Sequence, residues 1–262
     1  MSSDQKELRR MWDALEKAQQ NIVATTSIEI QESPKKPAEQ KQDEPMLKHG
    51  MYGEITDNHL MIDLTKADEA HLYSRHKKKT IFETTPGLTV LVGKNGTGKS
   101  TLLTFIETFC HDNDISHLLH DNLDNDRLGQ RAIYTGEYEL LATMMASSEG
   151  ESIVVAMSKI ATSISSCIAN TERDGKHQVV ILLDALDSGL SINNIVAMKQ
   201  YLFKPILEDA ESKNIACYII VAANSYELAR DEDCIDVKHM KHKTFKTYDS
   251  YRSFVLKGLN LE

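Results

Sequence analysis

Eight residues, Gly93-Lys94-Asn95-Gly96-Thr97-Gly98-Lys99-Ser100, have the types and spacing needed to hold a chain of phosphates. Glycines at the first, fourth and sixth positions let the backbone wrap tightly, with its N–H groups turned inward at the start of a helix. Lys99 reaches the β- and γ-phosphates, the Ser100 hydroxyl ligates magnesium, and Thr101 supports the α-phosphate. The candidate cradle is therefore Gly93, Asn95, Gly96, Gly98, Lys99, Ser100 and Thr101. An apolar run precedes the loop and a helical pattern follows it, which is the context this chemistry requires.

A carboxylate for the metal stands 85 residues after Lys99, where the apolar run Val179–Leu183 ends in Asp184. In phosphate-handling folds such a carboxylate completes the magnesium shell opposite the serine hydroxyl, so Ser100 and Asp184 are the expected metal residues. The next residue is Ala185, whose methyl group cannot orient a water for attack on the γ-phosphate. Asp187, three residues beyond Asp184, is the nearest replacement, with Glu149 or Glu151 as alternatives; the bland alternative is that Asp187 only caps the following turn. Lys99, Asp184 and Asp187 are the expected catalytic residues. A third piece is Ser148-Glu149-Gly150-Glu151, which opens a helical pattern. There the Ser148 hydroxyl and the N–H groups near Gly150 face outward at the positive end of a helix dipole.

The elements that must position these groups alternate between strand and helix. Residues 59–64, 88–93, 131–136, 179–184 and 215–224 read as strands, the fourth apolar enough for burial on both faces. Helical patterns cover residues 101–110, Glu151–Ala169, and a long stretch from Ser191 to Lys213 that is bent or broken near Pro205. The tail, residues 243–258, reads as a last hairpin strand and a closing helix. This alternation predicts an α/β fold with a mostly parallel central sheet. Upstream, residues 3–23 form an amphipathic helical pattern, so residues 1–30 are either a tethered docking helix or a frayed tail. Residues 31–45 hold three of the five prolines and one apolar side chain, Ala38, the composition of a disordered linker. The folded domain is expected over residues 46–262.

The bulk properties narrow the class. A net charge of −9 opposes coating nucleic acid by charge alone, although His71–Lys79 and Lys238–Lys246 are local basic clusters. Each could follow a nucleic-acid backbone, with Tyr73 or Phe245 as a stacking contact, or be plain solvated surface. No apolar run is long enough to span a bilayer, and the charged N-terminus carries no secretory signal. Cys110, Cys167, Cys217 and Cys234 are scattered, as buried thiols of a reducing compartment are; the expected location is cytoplasmic.

Residues 50–240 resemble the ABC-type ATPases, in particular the head domains of structural-maintenance-of-chromosomes and related DNA-repair ATPases, and look most like compact stand-alone members found in bacteriophage genomes. The resemblance makes Gly93–Ser100 the Walker A loop, Ser147–Glu151 the signature, Ile181–Asp184 Walker B, and Ser188–Ser191 the dimer-facing loop. It implies a P-loop fold of ABC-head architecture, with added antiparallel strands and a small helical subdomain. It also implies ATP and Mg2+ as cofactors. In the family, the signature serine and glycine of one protomer close over ATP held by the other, which gives Ser148 and Gly150 a nucleotide-binding role and implies a homodimer formed on ATP. Four positions depart from the pattern. Glu149 stands where the signature has its first glycine, Asn224 replaces the switch histidine, Gln130 is a poorly placed glutamine lever, and Ala185 occupies the position of the catalytic glutamate. Only 47 residues separate Ser100 from Ser148, too few for a coiled-coil arm.

The expected function is an ATP-gated dimerising switch with slow hydrolysis, acting on DNA or a partner protein in repair, recombination or phage-related processes. The alternatives are an ATP-binding interaction module without hydrolysis, and the nucleotide-binding subunit of a transporter.

Overall fold

A computed structural model describes residues 52–65, 81–121, 149–188 and 190–257. The expected strand at 131–136, the N-terminal helix, the linker, Gln130, Ser148 and the His71–Lys79 cluster lie outside the described residues.

Among the described residues two sheets form. β1 (Gly53–Ile55), β2 (Leu60–Asp63) and β3 (Ile81–Thr84) make a small antiparallel sheet in that order. β4 (Gly87–Val92), β5 (Ser116–Asp121), β6 (Gln178–Asp184), β7 (Ala216–Ala222), β8 (Asp233–Asp236) and β9 (Lys241–Lys243) make the larger one, ordered β5-β6-β7-β4-β8-β9. Its first five strands are parallel, and β9 returns antiparallel to β8. The α/β class with a mostly parallel central sheet is as the sequence predicts.

The strand order places the chemistry. From β4 the chain crosses to the far edge at β5, works back through β6 to β7 beside β4, and then passes to the other side of β4 as β8. Such a reversal leaves a crevice at the carboxyl ends of the strands, where open α/β sheets bind ligands. Register brings the strand ends together there: Leu91 of β4 pairs with Ala222 of β7, and Ala222 pairs with Asp184 of β6.

Why the central strands sit inside is plain from their composition. Val179 through Leu183 and Cys217 through Ala222 are all buried, continuous apolar runs with no solvent face. α1 (Lys99–Asp112) presents Leu102, Leu103, Phe105, Ile106, Phe109 and Cys110 at helical spacing and buries all six. It shares one core with Leu60, Ile62 and Phe82 of the small sheet and with Val180, Leu182 and Ile220 of the large one. Burying each large apolar side chain contributes about 1.5–3 kcal/mol, so the helix that follows the Gly93–Gly98 loop is anchored on two sides. The turn after β1 is tied down by Tyr218, whose hydroxyl donates to the Thr56 carbonyl at 2.7 Å.

The predicted bend or break near Pro205 takes the form of a π-helical turn. α3 (Ile192–Met198) passes through a π-helical turn, Lys199–Phe203, directly into α4 (Lys204–Ser212), with right-handed helical dihedrals at Met198, Phe203 and Lys204. Pro205 has no N–H to give, and its ring crowds the carbonyl four residues back; a wider turn moves that carbonyl aside, so the helix bulges instead of stopping. α2 (Glu149–Arg173) covers β5 and β6, α5 (Tyr226–Ala229) follows β7, and α6 (Tyr248–Leu256) closes the described chain. The tail's hairpin strand is β9, reaching back to Lys241, with Phe245 adding one bridge to Arg230. No described helix is long and apolar enough to cross a membrane.

Candidate functional site

The Gly93–Ser100 loop leaves β4 and enters α1 with backbone geometry that only glycine adopts freely at three points. Gly93, Gly96 and Gly98 have φ of 154°, 76° and 91°, all in the region where a Cβ is strained. At Gly93 the space is closed as well: an added Cβ would sit 2.7 Å from Thr97 Oγ1. Thr97 in turn braces the loop, donating from N and Oγ1 to the Lys94 carbonyl at 3.2 and 2.8 Å. Gly98 stands at the N-cap of α1, and no side chain caps that helix, nor is its first turn acidic. Its first-turn N–H groups therefore keep their affinity for an anion.

Lys99 is half-buried and held across the loop. Its ammonium donates to the Gly93 carbonyl at 3.1 Å and to Asn224 Oδ1 at 2.9 Å, with the Lys94 carbonyl at 3.5 Å. Burial lowers its pKa, and the charges of Asp187 and Asp184 pull it partly back. A desolvated cation beside two carboxylates is what a phosphate chain carrying magnesium would meet. Ser100 is exposed and Thr101 half-buried in the first turn of α1, while Asn95 and Gly96 lie exposed at the loop's tip.

Asp184 ends β6, level with Ala222. Ala185 follows it in a left-handed conformation, φ 48°, and its carbonyl accepts from Ser188 N at 3.0 Å. That turn swings Asp187 toward the end of β7, where its Oδ2 accepts the backbone N–H of Asn224 at 2.8 Å and also that of Ser225. Asp187 thus does cap a turn, but not the one after it in sequence: it caps the start of α5, together with the Ser225 hydroxyl, which accepts from Glu227 N. Its other oxygen accepts no hydrogen bond among the described residues.

Asn224, singled out in the sequence only as a missing histidine, is the site's junction. Its side chain takes Lys99, its N–H meets Asp187, and its carbonyl accepts the Tyr251 hydroxyl of α6 at 2.8 Å. Sequence reasoning gave no reason to place Tyr251 here, 27 residues away on a separate helix. Glu149, Gly150 and Glu151 form the opening turn of α2, as the sequence predicts; Ser148, immediately before it, lies outside the described residues. Among described residues no group of three His, Cys, Asp or Glu side chains could hold a metal by itself. Magnesium delivered on phosphates needs only one or two protein oxygens, which Ser100 and Asp184 can supply.

The second basic cluster needs one correction. Phe245 is 5% exposed, packed edge-on to Tyr251 at 5.2 Å and against Phe254 at 5.3 Å, and so cannot stack on a base. Tyr248, 59% exposed and edge-on to Tyr226, is the accessible ring of the same aromatic cluster. Lys238, Lys241 and Lys246 are exposed and form no ion pair among the described residues. His239 and His242 are paired with Asp236 and Asp233, at 2.7 and 2.9 Å.

The chain matches no protein-family model, no curated protein and no solved structure.

Proposed function

We propose that the chain binds ATP with magnesium and works as an ATP-gated dimerising switch of ABC-head type with slow hydrolysis. The observation that carries the reading is the Gly93–Ser100 loop: three left-handed glycines, an uncapped helix start and a desolvated lysine converge on one crevice at the carboxyl ends of the strands. A phosphate chain is the ligand that satisfies all three at once. ATP would rest on the loop's N–H groups and Lys99, with magnesium between Ser100 and Asp184. When bound, the magnesium supplies charge neutralisation at the phosphates; Lys99 adds to it and the loop fixes their orientation.

Dimerisation follows from the resemblance. One chain carries one Walker A loop and one signature-like Ser148–Glu151, so complete sites form only in a two-fold pair. The test is calorimetric titration of magnesium-ATP together with mass measurement. Wild type should bind and pair, Lys99→Ala should lose binding, and Ser148→Arg should bind without pairing. Unchanged ATP affinity in Lys99→Ala would sink the reading.

The second reading, binding without turnover, is favoured by a specific observation: Ala185 offers no acceptor, and Asp187 spends one oxygen on α5. Phosphate release at zero under saturating ATP would select it. For the client we favour DNA on the β9 edge, because Lys238, Lys241 and Lys246 are exposed there without acidic partners among the described residues, on an otherwise acidic chain. Binding of a DNA duplex should weaken steeply with salt and on neutralising these three lysines; salt-independent or absent binding points to a protein client.

A further inference from the structure

Lys99 and Asn224 make a contact that a phosphate has to break. An ammonium has three N–H donors, and Lys99 spends two of them on the Gly93 carbonyl and Asn224 Oδ1, at 3.1 and 2.9 Å. With the third turned toward the Lys94 carbonyl at 3.5 Å, a terminal phosphate drawing on Lys99 displaces one of these acceptors. The Gly93 carbonyl belongs to the loop itself, whereas Asn224 comes from the end of β7 and is the partner that can let go. An amide has an acceptor end and a donor end. Rotating it in place exchanges the oxygen that holds Lys99 for an NH2 group that can donate to phosphate oxygen.

That exchange works only if the backbone of Asn224 stays where it is. Its N–H is held by Asp187 at 2.8 Å, and its carbonyl by the Tyr251 hydroxyl at 2.8 Å. Tyr251 is 6% exposed and fixed between Tyr226 and Phe245, ring centroids 5.8 and 5.2 Å away. We infer that Tyr251 is a positioning residue: it clamps the Asn224 carbonyl so that the side-chain amide can pass from Lys99 to a terminal phosphate, which makes α6 part of the device that tells a nucleoside triphosphate from a diphosphate. The inference rests on the nucleotide-binding reading of the Gly93–Ser100 loop.

The experiment is equilibrium titration of the full chain with magnesium-ATP and magnesium-ADP, scored as the ratio of the two affinities. Tyr251→Phe, which removes only the hydroxyl, should narrow the ATP preference about fivefold, the scale of one lost hydrogen bond. Asn224→Ala should narrow it as much or more, and the double variant no further than Asn224→Ala alone, since Tyr251 acts through Asn224. Tyr226→Phe removes a different hydroxyl of the same aromatic cluster, one that donates to the Lys246 carbonyl, and should leave the ratio unchanged. A merely structural role for Tyr251 would lower melting temperature and weaken ATP and ADP alike; that result, or an unchanged ratio in Tyr251→Phe, overturns the inference while leaving nucleotide binding intact. Wild-type protein that binds neither nucleotide overturns the nucleotide reading and the inference together.

Discussion

The Asp187 carboxylate accepts the backbone N–H of Asn224 at 2.8 Å, fastening the loop after β6 to the loop after β7. That carboxylate, three residues past Asp184, is thereby also a helix cap. Removing a capping carboxylate costs about 0.5–2 kcal/mol, so Asp187→Ala should lower the melting temperature of the nucleotide-free protein. Asp187→Asn keeps an acceptor and should lose much less. If the second oxygen also orients water, Asp187→Asn should bind ATP normally yet release no phosphate. Equal phosphate release from wild type and Asp187→Asn would leave Asp187 as a latch alone.

Two glycines of the Gly93–Ser100 loop should respond unequally to the same change. At Gly93 an added methyl meets Thr97 Oγ1 at 2.7 Å as well as the strain of φ 154°, whereas at Gly96 it meets nothing within 4 Å and only the backbone strain of φ 76° remains. Left-handed backbone costs a non-glycine residue roughly 1–2 kcal/mol. Gly96→Ala should therefore fold with a modest drop in melting temperature. Gly93→Ala should lose more, because Thr97 must give up its bond to the Lys94 carbonyl, and should lose ATP affinity with it. Equal thermal shifts in the two variants would contradict this geometry.

Alkaline pH should destabilise the fold through its thiols. Burial pushes Cys110, Cys217 and Cys234 up to about 12, with acidic neighbours adding to the shift at Cys110 and Cys234. Between the ordinary thiol range and 12 the unfolded chain releases these protons while the folded chain keeps them, so stability falls as pH rises; below that window both states are protonated and nothing changes. Each thiol contributes a slope of about 1.4 kcal/mol per pH unit within the window. Melting curves from pH 8 to 10.5 should show the loss, and Cys110→Ala should flatten it. Identical slopes in the two proteins would refute the assignment for Cys110.

Much of the sheet and the loop was legible because their signals are local. Continuous apolar runs announced β4, β6 and β7, and glycine spacing announced the tight loop between β4 and α1. β5 is not legible locally because Ser116–Asp121 contains two histidines and only two consecutive apolar residues, Leu118 and Leu119, and is set by pairing with β6. β8 was hidden for the same reason: Asp233 and Asp236 flank two apolar residues, and the buried Asp236 is tolerated because His239 and the Lys238 N–H satisfy it. The junction at Asn224 was illegible, since its three partners come from three segments that only the tertiary fold brings together.

Ala185 provides the last test, and its backbone decides what can be put there. At φ 48° the residue already carries the strain of a Cβ in the left-handed region, so a longer side chain adds little to the cost already present. Ala185→Glu should therefore fold about as well as wild type. Ala185→Gly, which removes the strain but adds freedom to the unfolded chain, should be neutral to slightly stabilising. The glutamate would stand directly after Asp184, offering the acceptor that the wild-type methyl lacks. A general base contributes on the order of 10²–10⁴ in rate when well placed. Ala185→Glu should then raise phosphate release at least about tenfold, a modest fraction of that range because the loop is tethered by Asp187 and not built around a base. The measurement is single-turnover phosphate release at saturating magnesium-ATP, alongside melting temperatures of all three proteins. A folded, ATP-binding Ala185→Glu with the wild-type rate would show that the missing acceptor at 185 is not what limits hydrolysis.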